Sequence, residues 1–160
     1  MLRKHILTEG PIAPASPREE KDIAALATVL VTSEAADHPI DHAFDTRRGP
    51  GGSRWAAAVP GEQILILAFD TAQTIRGVTL EVEELEVSRT QELELSLSSD
   101  GGQTYRELRR QEYTFSPPGT TFEREDWVVT AEGITHLRLR ITPDKGSKPC
   151  RAILTSLVIQ

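Results

Sequence analysis

Two segments of the chain alternate strictly between apolar and polar residues, and this alternation constrains the fold more than any other feature. The apolar positions are Leu93, Leu95 and Leu97 in the first segment and Leu137, Leu139 and Ile141 in the second, with Glu, Ser, Arg or Thr between them. Successive side chains of a strand point to opposite faces, so a period of two predicts strands with one buried and one solvated face. Such strands, without long helices between them, favour antiparallel sheets packed face to face.

Further runs of apolar and β-branched residues predict strands along most of the chain. A first strand begins at Thr28, and the others are predicted at Gln63–Phe69, Ile75–Val82, Glu92–Ser98, Tyr105–Glu112, Asp126–Thr130, Thr135–Thr142 and Ile153–Ile159. Segments rich in Gly, Pro, Asp and Arg separate them at residues 34–62, 113–125 and 143–152. Loops longer than about 12–15 residues in a compact domain are usually functional or disordered. The predicted fold is therefore an all-β antiparallel sandwich with long loops.

The N-terminal part has a different character. Residues 1–15 mix charge with glycine and proline and have no period of two or 3.6, which predicts an arm. Ser16 is suited to cap a helix, Pro17 to its first position, and Glu19 to reach back to the cap nitrogen. We therefore predict an arm and a short helix over residues 1–27 and the sandwich domain over residues 28–160.

Composition excludes several classes of partner and location. A chain of 160 residues fits one domain, and 18 Lys+Arg against 24 Asp+Glu give a net charge of −6, which disfavours nucleic acid. The longest apolar runs fall far short of the roughly 20 residues that cross a bilayer. Glu9, Gly10 and Pro11 interrupt the N-terminus before an apolar signal region develops. With Cys150 as a lone cysteine, a cytoplasmic location is the default expectation.

The sequence contains no recognisable catalytic motif. The glycine-rich segment Gly49–Arg54 lacks the Lys-Ser/Thr pair and the following helix of a phosphate-binding loop, so it predicts a flexible loop. Cys150 stands in no motif that would activate a thiol. We therefore predict that the protein is not an enzyme.

Several short motifs occur in an order and at spacings that resemble a known family. They are Val31–Glu34, Ala43–Asp45 followed by Arg54-Trp55, Ile64–Asp70, Ile75–Leu80, Leu95–Gly101 with Tyr105, Leu137–Ile141 and Thr155–Ile159. Together they resemble the discoidin family, also called coagulation factor V/VIII type C domains, over Val29 to Ile159. The resemblance includes the carbohydrate-binding modules of family 32 and implies a galactose-binding-like jelly-roll sandwich.

The resemblance also implies which loops face a ligand. They correspond to Glu34–Asp41, Arg47–Glu62 and Glu83–Gln91, and the candidate ligand-binding residues are His38, His42, Arg47, Arg54, Glu84 and Arg89. These charged groups suit the hydroxyls of a sugar, but the loops contain no Tyr or Phe to stack on its ring. We assign Trp55 to the core beneath the long loop, and place Tyr113, Phe115 and Phe122 in another loop that could approach. The small apolar residues of the loops, such as Ala35 and Ala36, argue against membrane insertion.

The same family often holds a structural Ca²⁺ in the long loop, and Asp45 matches the carboxylate expected there. The family's Glu close to the last strand is missing, since that strand reads Leu154-Thr155-Ser156-Leu157. Ca²⁺ prefers 6–8 oxygen ligands, with carboxylates among them. We therefore expect no cofactor, with Asp45 as the one candidate calcium ligand.

Two functions remain open from the sequence. The first is a non-catalytic module that recognises a carbohydrate through loops at one end of the sandwich. The second is an intracellular protein-protein interaction subunit of a larger assembly, in which the N-terminal arm docks on a partner. The absence of stacking aromatics weakens the first hypothesis, but the sugar-binding role that the resemblance implies keeps it slightly ahead of the second.

Overall fold

The computed structural model describes residues 19–160, in which β-strands predominate. The strands are β1 Ala27–Val31, β2 Trp55–Ala56, β3 Gln63–Glu83, β4 Arg89–Ser98, β5 Arg106–Phe115, β6 Phe122–Thr142, β7 Ile153–Leu154 and β8 Ser156–Ile159. The helical elements of this part are α1 Ile23–Leu26 and a short 3-10 helix Ile40–Ala43. Neither is long and apolar enough to cross a membrane.

The helix α1 is shorter than the sequence predicts. Its N-cap is Asp22, whose side chain accepts a hydrogen bond from the backbone nitrogen of Ala25 at 3.3 Å. Ala27 follows in an extended conformation and begins β1, because the β-branched run after it favours a strand. Ser16 and Pro17, the predicted start of the helix, lie outside the described residues together with the predicted arm.

All strand pairs of the described chain are antiparallel, and the main sheet has the order β1-β3-β6-β4-β5 with β8 also paired to β3. The first part of β3, Gln63–Ala68, pairs with the end of β6, whereas its second part, 75–83, pairs with the beginning of β6 and with β8. The two long strands therefore pass from one layer of the sandwich into the other. The predicted all-β antiparallel sandwich is confirmed.

The passage between the layers corrects the predicted strand boundaries. The sequence pattern divides β3 into two strands and β6 into two, but each is one strand of 21 residues. The register of β3 shifts between Ala68 and Gly77, and the strand bends there without ending. Residues 70–74 contain no glycine or proline that would interrupt the strand. On the facing strand Gly133 has φ 69°, a conformation that favours glycine, and turns β6 at the same corner.

The apolar residues of the two alternating segments lie in the core. Leu93, Leu95, Leu137, Leu139 and Ile141 are all 0% exposed. Trp55 is 1% exposed, and its indole nitrogen donates to the carbonyl of Ser33 at 3.0 Å. The predicted burial of Trp55 beneath the long loop is therefore confirmed.

The segment 113–125 is not the long loop that its composition predicts. β5 continues to Phe115 and β6 begins at Phe122, so the connection is confined to residues 116–121. Tyr113 and Phe115 are 2% and 1% exposed, and burial raises the pKa of Tyr113. Their side chains pack in the core, because alternate positions of β5 face inward, and so they are not available to a ligand.

The hairpin between β4 and β5 is held by one carboxylate. Asp100 accepts hydrogen bonds from the Ser98 hydroxyl at 2.7 Å, from the Thr104 backbone nitrogen at 2.9 Å and from the Thr104 hydroxyl. The bonds from Thr104, and then that from Ser98, lower the pKa of Asp100 from 3.8 to about 2. Because the pKa is lower in the folded state, this stabilisation is present above pH 3.8 and is lost as the pH falls towards about 2.

We expect Asp100→Asn to reduce the dependence of stability on acid. The free energy of unfolding of the wild type should fall more steeply than that of the variant as the pH decreases through this window, because the amide has no proton to gain. Urea unfolding at several acidic pH values measures the two slopes. Asp70→Asn is the control, since Asp70 is exposed in the same sheet and should leave the slope of the wild type unchanged. Equal slopes for wild type and Asp100→Asn would contradict the assignment.

Candidate functional site

Three connecting segments meet at one end of the sandwich and enclose a concave pocket, here called the loop pocket. They are the segment between β1 and β2, the β3–β4 connection and the segment before β7. The cavity has a volume of about 390 Å³, within the roughly 300–1,000 Å³ of small-molecule sites. Its lining residues are Asp37, His38, Arg54, Ala56, Glu84, Glu86, Val87, Arg89, Pro149, Cys150, Arg151 and Ile153.

Backbone hydrogen bonds fix the first wall of the loop pocket. Ala35 donates to the carbonyl of Ala56 at 2.8 Å, and Ala56 donates to the carbonyl of His38 at 3.2 Å. His38 therefore lies beside Ala56, and its half-buried ring has Nε2 3.7 Å from the carboxylate of Asp37. These bonds hold an irregular segment against a strand, which positions the side chains before any ligand arrives.

Arg54 is the cation of this wall. Its Nε is buried and has no hydrogen-bond partner, and its guanidinium forms no ion pair within residues 19–160. Its carbonyl oxygen lies 3.0 Å from Nδ1 of His42, which donates to it when that nitrogen carries the proton. Because this Nε is not accessible, the terminal nitrogens of the guanidinium are the donors that Arg54 offers to a ligand in the pocket.

Glu84 and Arg89 form a buried ion pair at the base of the pocket. Nε of Arg89 is 2.9 Å from Oε1 of Glu84, and the two side chains are 2% and 10% exposed respectively. Nη1 of Arg89 also donates to the carbonyl of Arg151 and contacts Sγ of Cys150 at 3.4 Å. Arg89 thus joins the β3–β4 connection to the segment before β7. Its Nε and Nη1 contact groups of the protein, which makes Arg89 a residue that positions the pocket.

The predicted ligand-binding residues divide into two groups. His38, Arg54, Glu84 and Arg89 line the loop pocket, as their assignment to neighbouring loops predicts. His42 does not line the pocket, but its ring contacts the carbonyl oxygen of Arg54. Arg47 is exposed and lies outside the lining of the pocket.

Sequence reasoning did not identify one wall of the pocket. Arg151, Cys150 and Pro149 come from the segment before β7, which the family resemblance does not assign to ligand-facing loops. Glu86 also lines the pocket and lies in the predicted ligand-facing loop Glu83–Gln91, but it is not among the predicted ligand-binding residues. The sequence signal for this wall is the length of the segment 143–152. A connection of ten residues without strand character is long for a compact domain and is a candidate for a functional loop.

The glycine-rich segment after Arg48 is held in place, which corrects its interpretation as a flexible loop. The backbone nitrogen of Gly49 donates to Glu81 at 2.8 Å, and that of Gly51 donates to Glu83 at 3.1 Å. Both carboxylates lie on β3 and are buried. Buried carboxylates need such partners, and these bonds anchor the loop that leads to Arg54.

The carboxylate of Asp45 forms hydrogen bonds within the long loop. Its Oδ1 accepts from the backbone nitrogen of Arg47 at 2.9 Å, and its Oδ2 accepts from the hydroxyl of Ser53. Both oxygens thus act as hydrogen-bond acceptors that hold the loop. No group of three or more His, Cys, Asp or Glu side chains within residues 19–160 is arranged to hold a metal. Calcium binding by Asp45 stays a prediction.

Comparisons with known proteins support the fold. No family model and no curated protein matches the chain. Among solved structures, a pectin-binding carbohydrate-binding module is 17% identical, with 84% of this chain and 90% of the module covered and a TM-score of 0.60. The CBM32 of AlyQ, solved with 4,5-unsaturated mannuronic acid, is 19% identical, with 89% and 98% covered and a TM-score of 0.60. A CBM32 of Clostridium perfringens, solved with GalNAc-β-1,3-galactose, is 17% identical, with 88% and 99% covered and a TM-score of 0.60.

These similarities establish that the chain has the fold of the family 32 carbohydrate-binding modules. The predicted galactose-binding-like sandwich is therefore confirmed. At identities of 17–19%, the similarity concerns the fold, and the ligand has to be argued from the site.

Proposed function

We propose that this protein is a non-catalytic carbohydrate-binding module whose loop pocket holds a sugar. The observation that carries the proposal is the convergence of His38, Arg54 and Glu86 on one concave surface, with Arg54 free of an ion pair among the described residues. A guanidinium donates hydrogen bonds in pairs, and carboxylates accept them, which matches neighbouring hydroxyls on a sugar ring. The imidazole of His38 adds a donor or acceptor at the rim.

The proposal assigns binding and no chemistry to this pocket. Glu84 would be the natural acid or base, but its carboxylate is already paired with Arg89. The pair holds the pocket in shape, and preorganisation of this kind favours binding. Solved structures with the same fold carry ligands as different as 4,5-unsaturated mannuronic acid and galactose, which supports the class of ligand and leaves the individual sugar open.

Arg54→Ala should weaken sugar binding about tenfold to a hundredfold, since hydrogen bonds to charged groups contribute roughly 1.5–3 kcal/mol. A glycan array first identifies the preferred sugar, and calorimetry then compares the variant with the wild type. Arg47→Ala is the matched control, because this arginine belongs to the same long loop but lies outside the pocket. Equal affinities for wild type and Arg54→Ala, or a loss with Arg47→Ala instead, would contradict the proposed site.

The protein-interaction hypothesis stays a prediction. It depends on the N-terminal arm, which lies outside the described residues. The predicted cytoplasmic location and the expected absence of nucleic-acid and membrane partners also stay predictions.

A further inference from the structure

A second cavity lies at the corner where β6 turns between the two layers, and we call it the corner pocket. It has a volume of about 410 Å³ and is bounded by the β4–β5 hairpin on one side and by residues 130–134 of β6 on the other. β4 begins at Arg89 in the loop pocket and ends at Ser98 beside this hairpin. Ten residues of extended strand cover about 30 Å, so the two pockets occupy opposite ends of the sandwich.

The corner pocket contains the aromatic residue that the loop pocket lacks. Tyr105 contributes to its wall, and the guanidinium of Arg138 lies 4.1 Å from the centroid of the ring. This cation–π contact fixes the orientation of the ring. Partial burial raises the pKa of Tyr105 above its ordinary value, and the protonated hydroxyl can donate as well as accept a hydrogen bond.

Charged and hydroxyl groups surround the ring. Arg106 and Glu132 line the pocket on opposite sides, and neither forms an ion pair or a side-chain hydrogen bond within residues 19–160. Thr130 adds a hydroxyl, and the buried side chains of Leu97 and Ile134 also line the cavity. The pocket thus combines an aromatic ring with one cation and one anion that have no ion-pair partner among residues 19–160.

We infer that the corner pocket is a second carbohydrate-binding site that takes a single pyranose residue. The C–H face of the sugar ring would pack on the side of Tyr105 that Arg138 does not cover, Arg106 would donate to neighbouring hydroxyls, and Glu132 would accept from another. Sites at both ends would let one domain bridge two glycan chains, and on a dense glycan surface the two contacts reinforce each other. This inference does not require the loop pocket to bind.

NMR titration of the 160-residue chain tests the inference directly. Galactose, N-acetylglucosamine and glucuronic acid are added separately while backbone amide signals are followed. We expect saturable shifts at Tyr105, Arg106 and Glu132 with at least one of the sugars. Arg106→Ala should weaken that response about tenfold or more, whereas Arg109→Ala, an exposed arginine of the same strand outside the pocket, should leave it unchanged.

The same titration separates this inference from the proposed function. Shifts confined to the loop pocket with all three sugars would overturn the corner pocket as a sugar site and leave the proposed function intact. Shifts confined to the corner pocket would support the inference and would exclude the loop pocket as a binding site for these sugars. Glu132→Gln gives an independent variant, because an exposed side chain can lose its charge without disturbing the fold. An unchanged corner response in both Arg106→Ala and Glu132→Gln would also overturn the inference.

Discussion

Arg89→Ala should lower the free energy of unfolding by about 3–5 kcal/mol, the usual cost of removing one partner from a buried ion pair. The substitution leaves the carboxylate of Glu84 buried and without its cation, and it removes the donor to the carbonyl of Arg151. For a chain of this size the loss corresponds to a decrease in Tm of roughly 10 °C. Chemical denaturation and thermal unfolding followed by circular dichroism measure both quantities.

Two further variants show whether the buried charge is the cause. The double variant Glu84→Gln with Arg89→Met should recover much of the loss, because neither partner then carries an uncompensated charge. Arg109→Ala removes an exposed arginine of β5 and should change the free energy of unfolding by less than about 0.5 kcal/mol. A loss below about 1 kcal/mol for Arg89→Ala would mean that the pair behaves like a surface ion pair, against the structure.

Trp55→Ala should destabilise the protein by about 3–5 kcal/mol, the usual range for removing a buried tryptophan from a core. Its ring is 1% exposed, and β2 holds it against β7 through the pairing of Trp55 with Leu154. Because Arg54 precedes it directly, the same variant should lose sugar binding even under conditions where it remains folded. Urea unfolding and calorimetry measure the two effects.

A conservative variant separates the contribution of ring packing at Trp55 from that of its hydrogen bond to Ser33. Trp55→Phe keeps most of the packing but leaves the carbonyl of Ser33 without the indole donor, so it should cost roughly 1–3 kcal/mol. Leu85→Ala is the control for an apolar residue that is 56% exposed, and its effect should stay below about 0.5 kcal/mol. If Trp55→Ala were as mild as Leu85→Ala, Trp55 would not anchor the long loop.

The layers of the sandwich could be predicted because they depend on local alternation. The apolar positions of β4 and of the second half of β6, from Leu93 to Leu97 and from Leu137 to Ile141, are buried as the period of two requires. The corner could not be predicted, because the interrupted pattern at residues 70–74, without glycine or proline, does not show that β3 bends there and continues. β3 pairs with Ala131 and Ile134, on either side of Gly133, and these long-range contacts are not revealed by composition.

The sequence predicted four residues that line the candidate site, His38, Arg54, Glu84 and Arg89, but not their different roles. Arg54 and Arg89 look alike in the sequence, as arginines in neighbouring loops. In the structure Arg54 has no ion pair within residues 19–160, whereas Arg89 is buried against Glu84. That difference arises from the segment carrying Arg151, which closes over Arg89 from 62 residues away along the chain.

The position of a bound sugar tests the central claim most directly. We expect titration of the isotopically labelled protein with the sugar selected on the array to give saturable amide shifts at His38, Arg54 and Glu86, and Arg54→Ala to abolish them while the remaining spectrum stays folded. Absence of saturable shifts around the loop pocket, with every sugar that the array retains, would contradict the assignment of this protein as a carbohydrate-binding module that uses these loops.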